Sequence, residues 1–185
     1  MILVVAATRA EAAHVPAGVE VVVTGLGKTA AAVATSRALA HRDPGELADL
    51  TVVNLGTAGA LRGGLTGLHE VGVVLNHDMN ADAVRALGYD PRERLSVGTS
   101  EVVLASGDVF VTDPAVRDRL AREAHLVDME GYGVAFACQA FGVPVRLVKH
   151  VSDNADEGAM DWPDLVDRSA RLLGEWLTEW LDGHR

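Results

Sequence analysis

Carboxylates gather where apolar runs of the chain end. Glu11 follows the run Ile2–Ala6, Asp128-Met129-Glu130 follows His125–Val127, and Ser152-Asp153-Asn154-Ala155-Asp156 follows Val145–His150. A turn of small residues, Gly56-Thr57-Ala58-Gly59, follows Thr51–Asn54 in the same way. If these runs are strands of an open α/β sheet, all four segments lie on one rim, beyond the carboxyl ends of the strands, where such sheets bind ligands. Carboxyl groups in different surroundings can divide proton chemistry, one kept protonated as an acid and another ionised as a base. Each segment also has a purely structural use. Asp128 can cap a helix beginning at Met129, and Asp153 or Asp156 can cap a loop. Their coincidence on one rim favours a shared site.

Other chemistries fit less well. Thr24-Gly25-Leu26-Gly27-Lys28-Thr29 ends like a phosphate-binding P-loop, but Val22 stands where that motif needs its first glycine. Gly25-x-Gly27-x-x-Ala30 resembles a dinucleotide fingerprint, yet Asn54 replaces the acidic ribose ligand at the end of the next strand. A tight strand-to-helix turn is the better account. There are seven histidines but no His-x-x-x-His, and His77-Asp78 with Asp82 lacks a third soft ligand, so no metal is expected. No Gly-x-Ser-x-Gly elbow occurs, and the single cysteine, Cys138, falls inside an apolar helix where thiols are inert.

The elements that must hold the rim are legible from composition and period. Of 185 residues, 49% are hydrophobic and only 4% aromatic, so Ala, Val, Leu and Gly do most of the packing. Small side chains let helices lie close on a sheet. Strands are expected at Ile2–Ala6, Val19–Thr24, Thr51–Asn54, Val71–Asn76, Val102–Ala105, His125–Val127 and Val145–His150, apolar on both faces as in sheets covered on both sides. Helices are expected at Lys28–His41, Pro114–Glu123, Met129–Phe141 and Pro163–Leu181, the third stopped by Gly142 and Pro144. The last helix is strongly amphipathic, and Trp176 and Trp180 belong to its core or contact face. Gly88–Ser100 is polar and turn-rich and reads as an exposed loop. No repeat or linker interrupts the chain, which reads as one α/β domain over residues 1–185.

The net charge of −10 argues against a nucleic-acid partner, since phosphate affinity needs clustered Lys and Arg. No segment reaches the ~18 uninterrupted apolar residues of a membrane span. Ile2–Ala7 is read as a buried strand and not as a signal-peptide core, because no basic residue precedes it and Arg9 and Glu11 follow at once. A lone cysteine suits the reducing cytoplasm.

Taken in order, Glu11, Gly25-Leu26-Gly27-Lys28, Asn54-Leu55-Gly56-Thr57-Ala58-Gly59, Ser106-Gly107-Asp108-Val109-Phe110, Asp128-Met129-Glu130 and Ser152-Asp153-Asn154-Ala155-Asp156 resemble the purine nucleoside phosphorylase and nucleosidase superfamily. Their spacing is most similar to that of the 5′-methylthioadenosine/S-adenosylhomocysteine nucleosidases, and the likeness runs from Ile2 to the last helix. The resemblance implies a three-layer nucleoside phosphorylase-like fold with a twisted, mostly parallel sheet. It also implies hydrolysis of the N-glycosidic bond of a purine nucleoside, without a cofactor, by a homodimer whose partner chain closes the 5′ side of each pocket. Asp153 would then protonate or hydrogen-bond the purine N7, and Glu11 would act as general base on the attacking water. Met129 and Glu130 would hold the ribose. Phe110 would stack on the purine, the backbone of Val111 would read its edge, and Thr57, with Ala58 and Gly59, would lie beside the ribose. Ser152 would neighbour the acid, and Trp162 would take the place of an aromatic over the purine. The two-carboxyl logic is that of inverting glycoside hydrolysis, where one group protonates the leaving group and another activates water on the opposite face.

The chain departs from that family in a shortened stretch between Tyr89 and Val102, which bears on the 5′ substituent, and in Lys149, where relatives often carry Arg. Met129-Glu130-Gly131-Tyr132-Gly133-Val134-Ala135 also resembles futalosine hydrolase, so that activity remains an alternative. A non-catalytic nucleoside-binding module is another, against which stands the joint presence of Glu11, Glu130 and Asp153, since a binder gains little from a general base. A phosphorylase is a third. Related phosphorylases place an Arg where Asn54 stands, and a carboxylate at Glu11 repels phosphate, so water is the expected nucleophile, with Arg9 the nearest substitute cation.

Overall fold

Ile2–Ala6 (β1) has no polar side chain, and Leu3, Val4, Val5 and Ala6 are fully buried. Alternation sends Leu3 and Val5 into one core and Val4 into another, so the strand is covered on both faces. The structure is a computed structural model that describes residues 1–156 and 162–183, with the backbone alone for residues 162–164. After β1 come β2 (Glu20–Val23), α1 (Lys28–Ala40), α2 (Pro44–Ala48), β3 (Thr51–Ala60), β4 (Leu68–Glu70) and β5 (Val73–Asn76). There follow α3 (Ala81–Ala86), β6 (Arg94–Ser96), β7 (Val103–Ser106), α4 (Pro114–Leu120), β8 (Leu126–Asp128), α5 (Gly131–Phe141), β9 (Val145–Asp153) and α6 (Trp162–Asp182).

The strands form one mixed, mainly parallel sheet in the order β2-β1-β3-β8-β7-β5-β6, with β9 pairing β3 and β4 pairing β9. The pairs β1–β2, β1–β3, β3–β9, β5–β7 and β7–β8 are parallel, whereas β3–β8, β4–β9 and β5–β6 are antiparallel. On one face lie α1 and α5, packed so closely that a methyl group on Gly133 would come within 2.3 Å of the Lys28 carbonyl oxygen. On the other face α6 buries Leu173 and Leu177 against Val4, Val53, Leu55 and Val148. Trp176 and Trp180 stack at 6.0 Å and pack against that same core. This is the three-layer α/β arrangement. Among the described residues no helix is long and apolar enough to cross a membrane.

Several boundaries differ from the sequence expectation. β3 does not stop at Asn54 but runs through Gly56-Thr57-Ala58-Gly59, because the ladder with β9 continues to Gly59↔Asp153 with one irregularity at Ala58/Gly59. The small residues are therefore strand positions where other groups approach the backbone closely, and not a turn. β9 likewise reaches Asp153, and Asp128 is the last residue of β8. α5 begins at Gly131, so Glu130 and not Asp128 occupies its cap position, although Asp128 Oδ2 accepts the Gly131 N–H at 2.9 Å. The stretch Gly88–Ser100 holds β6, and Leu95 within it is buried against the core. Gly142 closes α5 in the left-handed conformation, φ 68°, as its position predicts.

Candidate active site

The site arises from a change of partner along β3. β1 accompanies β3 only as far as Val5↔Asn54, and β8 joins it only at Gly59↔Val127. Between these points β3 keeps β9 on its other side, from Leu55↔Val148 to Ala58↔Val151. β1 turns away into the segment carrying Glu11, while β8 arrives from the far side and ends at Asp128. The crevice between them is the switch point at which open α/β sheets bind ligands. It forms a cavity of about 300 Å³ lined by Ala7, Glu11, Leu26, Thr57, Ala58, Gly59, Val109, Phe110, Val111, Val127, Asp128, Met129, Glu130, Ser152 and Asp153.

Glu11 is 4% exposed, and each of its oxygens accepts two hydrogen bonds. Oε1 accepts the Thr57 N–H at 2.9 Å and the Thr57 hydroxyl at 3.0 Å, and Oε2 accepts the Thr8 N–H and hydroxyl, each at 3.1 Å. These four donors fix the carboxylate against β3. Asp153 is fixed in the same manner, Oδ1 by the Ala155 N–H at 2.8 Å and Oδ2 by the Ser152 hydroxyl at 2.7 Å. Gly59 opposite leaves room for it, since a methyl group there would lie 2.9 Å from Asp153 Oδ1. Glu130 Oε1 accepts the Gly27 N–H at 2.8 Å, at the N-terminus of α1. Burial, and next the charge of Asp128, push the Glu130 carboxyl up to about 7, against the opposing pull of the Gly27 N–H and of Lys149.

Behind this wall lies a buried ion pair. Lys149 is 1% exposed and its Nζ sits 2.8 Å from Asp128 Oδ2. Asp128 Oδ1 accepts the Ser106 hydroxyl, which itself accepts the Tyr132 N–H at 3.0 Å. Burial disfavours the Lys149 charge most, but the carboxylates of Asp128, Glu130 and Glu11 together outweigh it and hold the ammonium above its ordinary range. Lys149 and Ser106 escape a reading based on rim carboxylates. The available signal is a lysine at the middle of the strand-forming run Val145–Val151.

The turn at Gly25–Lys28 directs donors that a P-loop would offer to phosphate at acceptors of the protein itself. The Gly27 N–H is taken by Glu130, and the Lys28 N–H donates to Asp108 Oδ1 at 2.8 Å. The Lys28 ammonium is held by Asn76 Oδ1 at 2.6 Å and by Asp78. Asn54 is buried and donates to the Val5 carbonyl at 2.9 Å, and neither it nor Arg9 lines the cavity. Among the described residues no group of His, Cys, Asp or Glu is disposed to hold a metal ion. Burial pushes the Cys138 thiol up to about 12.

Every residue that the sequence assigns to catalysis or to the nucleoside lines this cavity except Trp162, whose side chain lies outside the described residues. Ala7, Leu26, Val109, Val127 and Asp128 are lining positions that the sequence reading did not name as substrate contacts. Leu26 and Phe110, 63% and 49% exposed, stand at the mouth as apolar faces.

The chain is similar in sequence and in fold to known proteins. The chain is 33% identical over 132 residues to the aminodeoxyfutalosine nucleosidase of Helicobacter pylori (strain J99), covering 59% of this chain and 57% of that one. It is 38% identical over 87 residues to the 5′-methylthioadenosine/S-adenosylhomocysteine nucleosidase of Treponema pallidum, covering 44% and 32%. The chain thus spans about half or less of the length of the curated relatives it matches. The crystal structure of a Helicobacter pylori MTAN mutant with 5′-methylthioadenosine in the active site superposes with a TM-score of 0.81 at 26% identity, covering 98% of each chain. Residues 74–179, more than half of the sequence and including β5 to most of α6, match the family described as the Phosphorylase superfamily, and the chain belongs to it.

Proposed function

We propose that the protein hydrolyses the N-glycosidic bond of a purine nucleoside to free base and sugar. The observation that carries this reading is the convergence of Glu11, Glu130 and Asp153, from three separate segments, on one cavity with the exposed ring of Phe110 at its mouth. Water attacks C1′ and gives its proton to Glu11, the C1′–N9 bond breaks, and the leaving base receives a proton at N7 from Asp153. Positioned proton transfers of this kind contribute about 10²–10⁴ in rate each. Glu130 keeps its second oxygen for the ribose hydroxyls while the first is tied to Gly27. Thr57, Met129 and Ser152 frame the sugar and the acid, and Phe110 and Val111 take the base.

Water is the nucleophile, for among the described residues that line the cavity there is no Lys or Arg to clamp a phosphate dianion. The substrates we favour are 5′-methylthioadenosine and S-adenosylhomocysteine, in keeping with the ligand of the superposed Helicobacter pylori mutant. A second reading, cleavage of a futalosine-type nucleoside, is favoured by the wider sequence match to aminodeoxyfutalosine nucleosidase. We further infer a cytoplasmic homodimer acting in methionine salvage, in which the exposed Leu26 and Phe110 are covered by the partner chain.

The test is to incubate the protein with methylthioadenosine, adenosylhomocysteine, aminodeoxyfutalosine, adenosine and inosine and to measure free base, with and without phosphate. Release of base at a phosphate-independent rate is the expected result. Formation of ribose 1-phosphate, or no release from any of the five, would overturn it. Light scattering reads the oligomeric state, and a monomer that turns over nucleoside would remove the dimer.

A further inference from the structure

The helix α1 begins without a local cap. Gly27, its cap residue, has φ 93° and no side chain to offer, so the first backbone donors of the helix need partners from elsewhere. They find them far along the chain. The Gly27 N–H goes to Glu130 Oε1 and the Lys28 N–H to Asp108 Oδ1, both at 2.8 Å, across 103 and 80 residues. One turn thus holds both the carboxyl assigned to the sugar and the start of the loop that carries Phe110 and Val111. Gly27 must be bare for this, since a methyl group there would stand 2.9 Å from Asp108 Oδ1.

Asp108 is gripped from the other side as well. Its N–H donates to Asp78 Oδ2 at 2.8 Å. Asp78 Oδ1 is bound by the Lys28 ammonium, which also donates to Asn76 Oδ1 at 2.6 Å. The Lys28 and Asp78 side chains are only 15% and 26% exposed, so the pair is screened less than one at the open surface. The ring of His77 lies over Gly107 and leaves no room there for a methyl group. Asp108 is therefore fixed at its carboxyl by α1 and at its amide by the segment after β5. Two residues on, Phe110 is 49% exposed, so its own packing does not fix the ring.

We propose that Asp78 and Lys28 are positioning residues, which bind the Phe110 loop to the N-terminus of α1 so that the aromatic ring and Glu130 meet one nucleoside in register. The Gly-Lys-Thr turn that imitates a phosphate loop would then serve to hold two parts of the pocket at a set separation. The effect on substrate rests on the nucleosidase reading, whereas the placing of the ring does not. Stacking on the base operates in the ground state and the transition state alike, so its loss falls on KM and not on kcat.

The experiment has two arms, run on Asp78→Ala and Lys28→Met after circular dichroism has shown which are folded. In the first, the protein is labelled with 4-fluorophenylalanine, whose three sites are Phe110, Phe136 and Phe141, and the Phe110 fluorine line is assigned through Phe110→Ala. In each variant the Phe110 line is expected to move towards its position in the unfolded chain, while those of Phe136 and Phe141 stay in place. In the second arm, base release from methylthioadenosine is measured for each variant in the parent and in the Phe110→Ala background. KM is expected to rise about tenfold in the parent background with kcat within about threefold, and to change by less than about threefold once the ring is gone. A folded variant whose Phe110 line is unmoved would overturn the proposal, as would a loss that falls on kcat or recurs in full without the ring. Where one variant does not fold, the other is judged by the same outcomes. Failure of the unmodified protein to cleave any nucleoside would sink the nucleosidase reading alone, since the fluorine spectrum is read without turnover.

Discussion

Gly59→Ala is the substitution that most directly probes how the fold aims Asp153. The added methyl group would stand 2.9 Å from Asp153 Oδ1, 2.9 Å from the Ala155 Cβ and 3.2 Å from Val127 Cγ1. Relief requires shifts of about half an ångström or more, shared among strands, since ordinary carbon contacts lie near 3.5–4.0 Å. The backbone cannot yield freely, because Gly59 pairs with Asp153 on one side and with Val127 on the other. Overpacking of this order costs about 1–3 kcal/mol, or a Tm lowered by about 3–10 °C for a chain of this size. The larger effect is on catalysis. A misplacement approaching 1 Å can cost about 10²-fold, so kcat for base release is expected to fall by about 10–10²-fold. Gly63→Ala is the control, for a methyl group there meets nothing within 4 Å. Steady-state release of base and a thermal melt, run on both variants, decide the matter. A Gly59→Ala protein with kcat within about twofold of the parent would refute the reasoning that this glycine positions a working acid.

Glu11→Gln and Asp153→Asn each keep shape while removing proton transfer, and each is expected to lower kcat by about 10²–10⁴-fold with the fold intact by circular dichroism. The Glu130 carboxyl is raised to about 7 in the folded chain from its ordinary 4.5, so its tighter hold on the proton contributes stability that is present below pH 4.5 and lost as pH rises through 7. Melting curves should therefore show Glu130→Gln gaining on the parent across that window, by a few kcal/mol at most; a difference that does not change with pH would refute the assignment. Cys138, buried and with its thiol pushed up to about 12, should resist disulfide reagents at pH 8 until denaturant is added.

Much of the scaffold is legible in the sequence because its signals are local. β1 is an uninterrupted aliphatic run, and α6 repeats its apolar residues at helical spacing. Where the partner decides, local signals fail. β3 passes through two glycines, which propensity would place in a turn, because β9 continues to pair with it and because Glu11, Lys149 and Asp153 need the missing side chains. β4 and β6 are three residues each, with Leu68-His69-Glu70 defined only by β9 and Arg94-Leu95-Ser96 only by β5. At the site the positions are legible as an ordered set of motifs, but their joinery is not. The bond from the Gly27 N–H to Glu130 spans 103 residues, and nothing near either residue announces the other. The burial of Lys149 is likewise a product of the sheet, since Arg146 in the same run stays partly exposed and nothing local says which of the two cations lies across the ladder from Gly56.

The change of partner along β3 also bears on how the chain matures. That single strand is bonded to residues 2–5 near the beginning, to residues 126 and 127 in the middle and to residues 145–153 towards the end. During synthesis from the N-terminus, β3 therefore emerges long before two of its three neighbours exist. Its later half must wait as an open edge, a template for pairing with other chains. Closure over so many residues makes for slow, non-local folding, and an interval of exposure to aggregation. The same joining of remote segments that builds the crevice makes the nascent chain dependent on whatever shields that edge until residue 153 has left the ribosome.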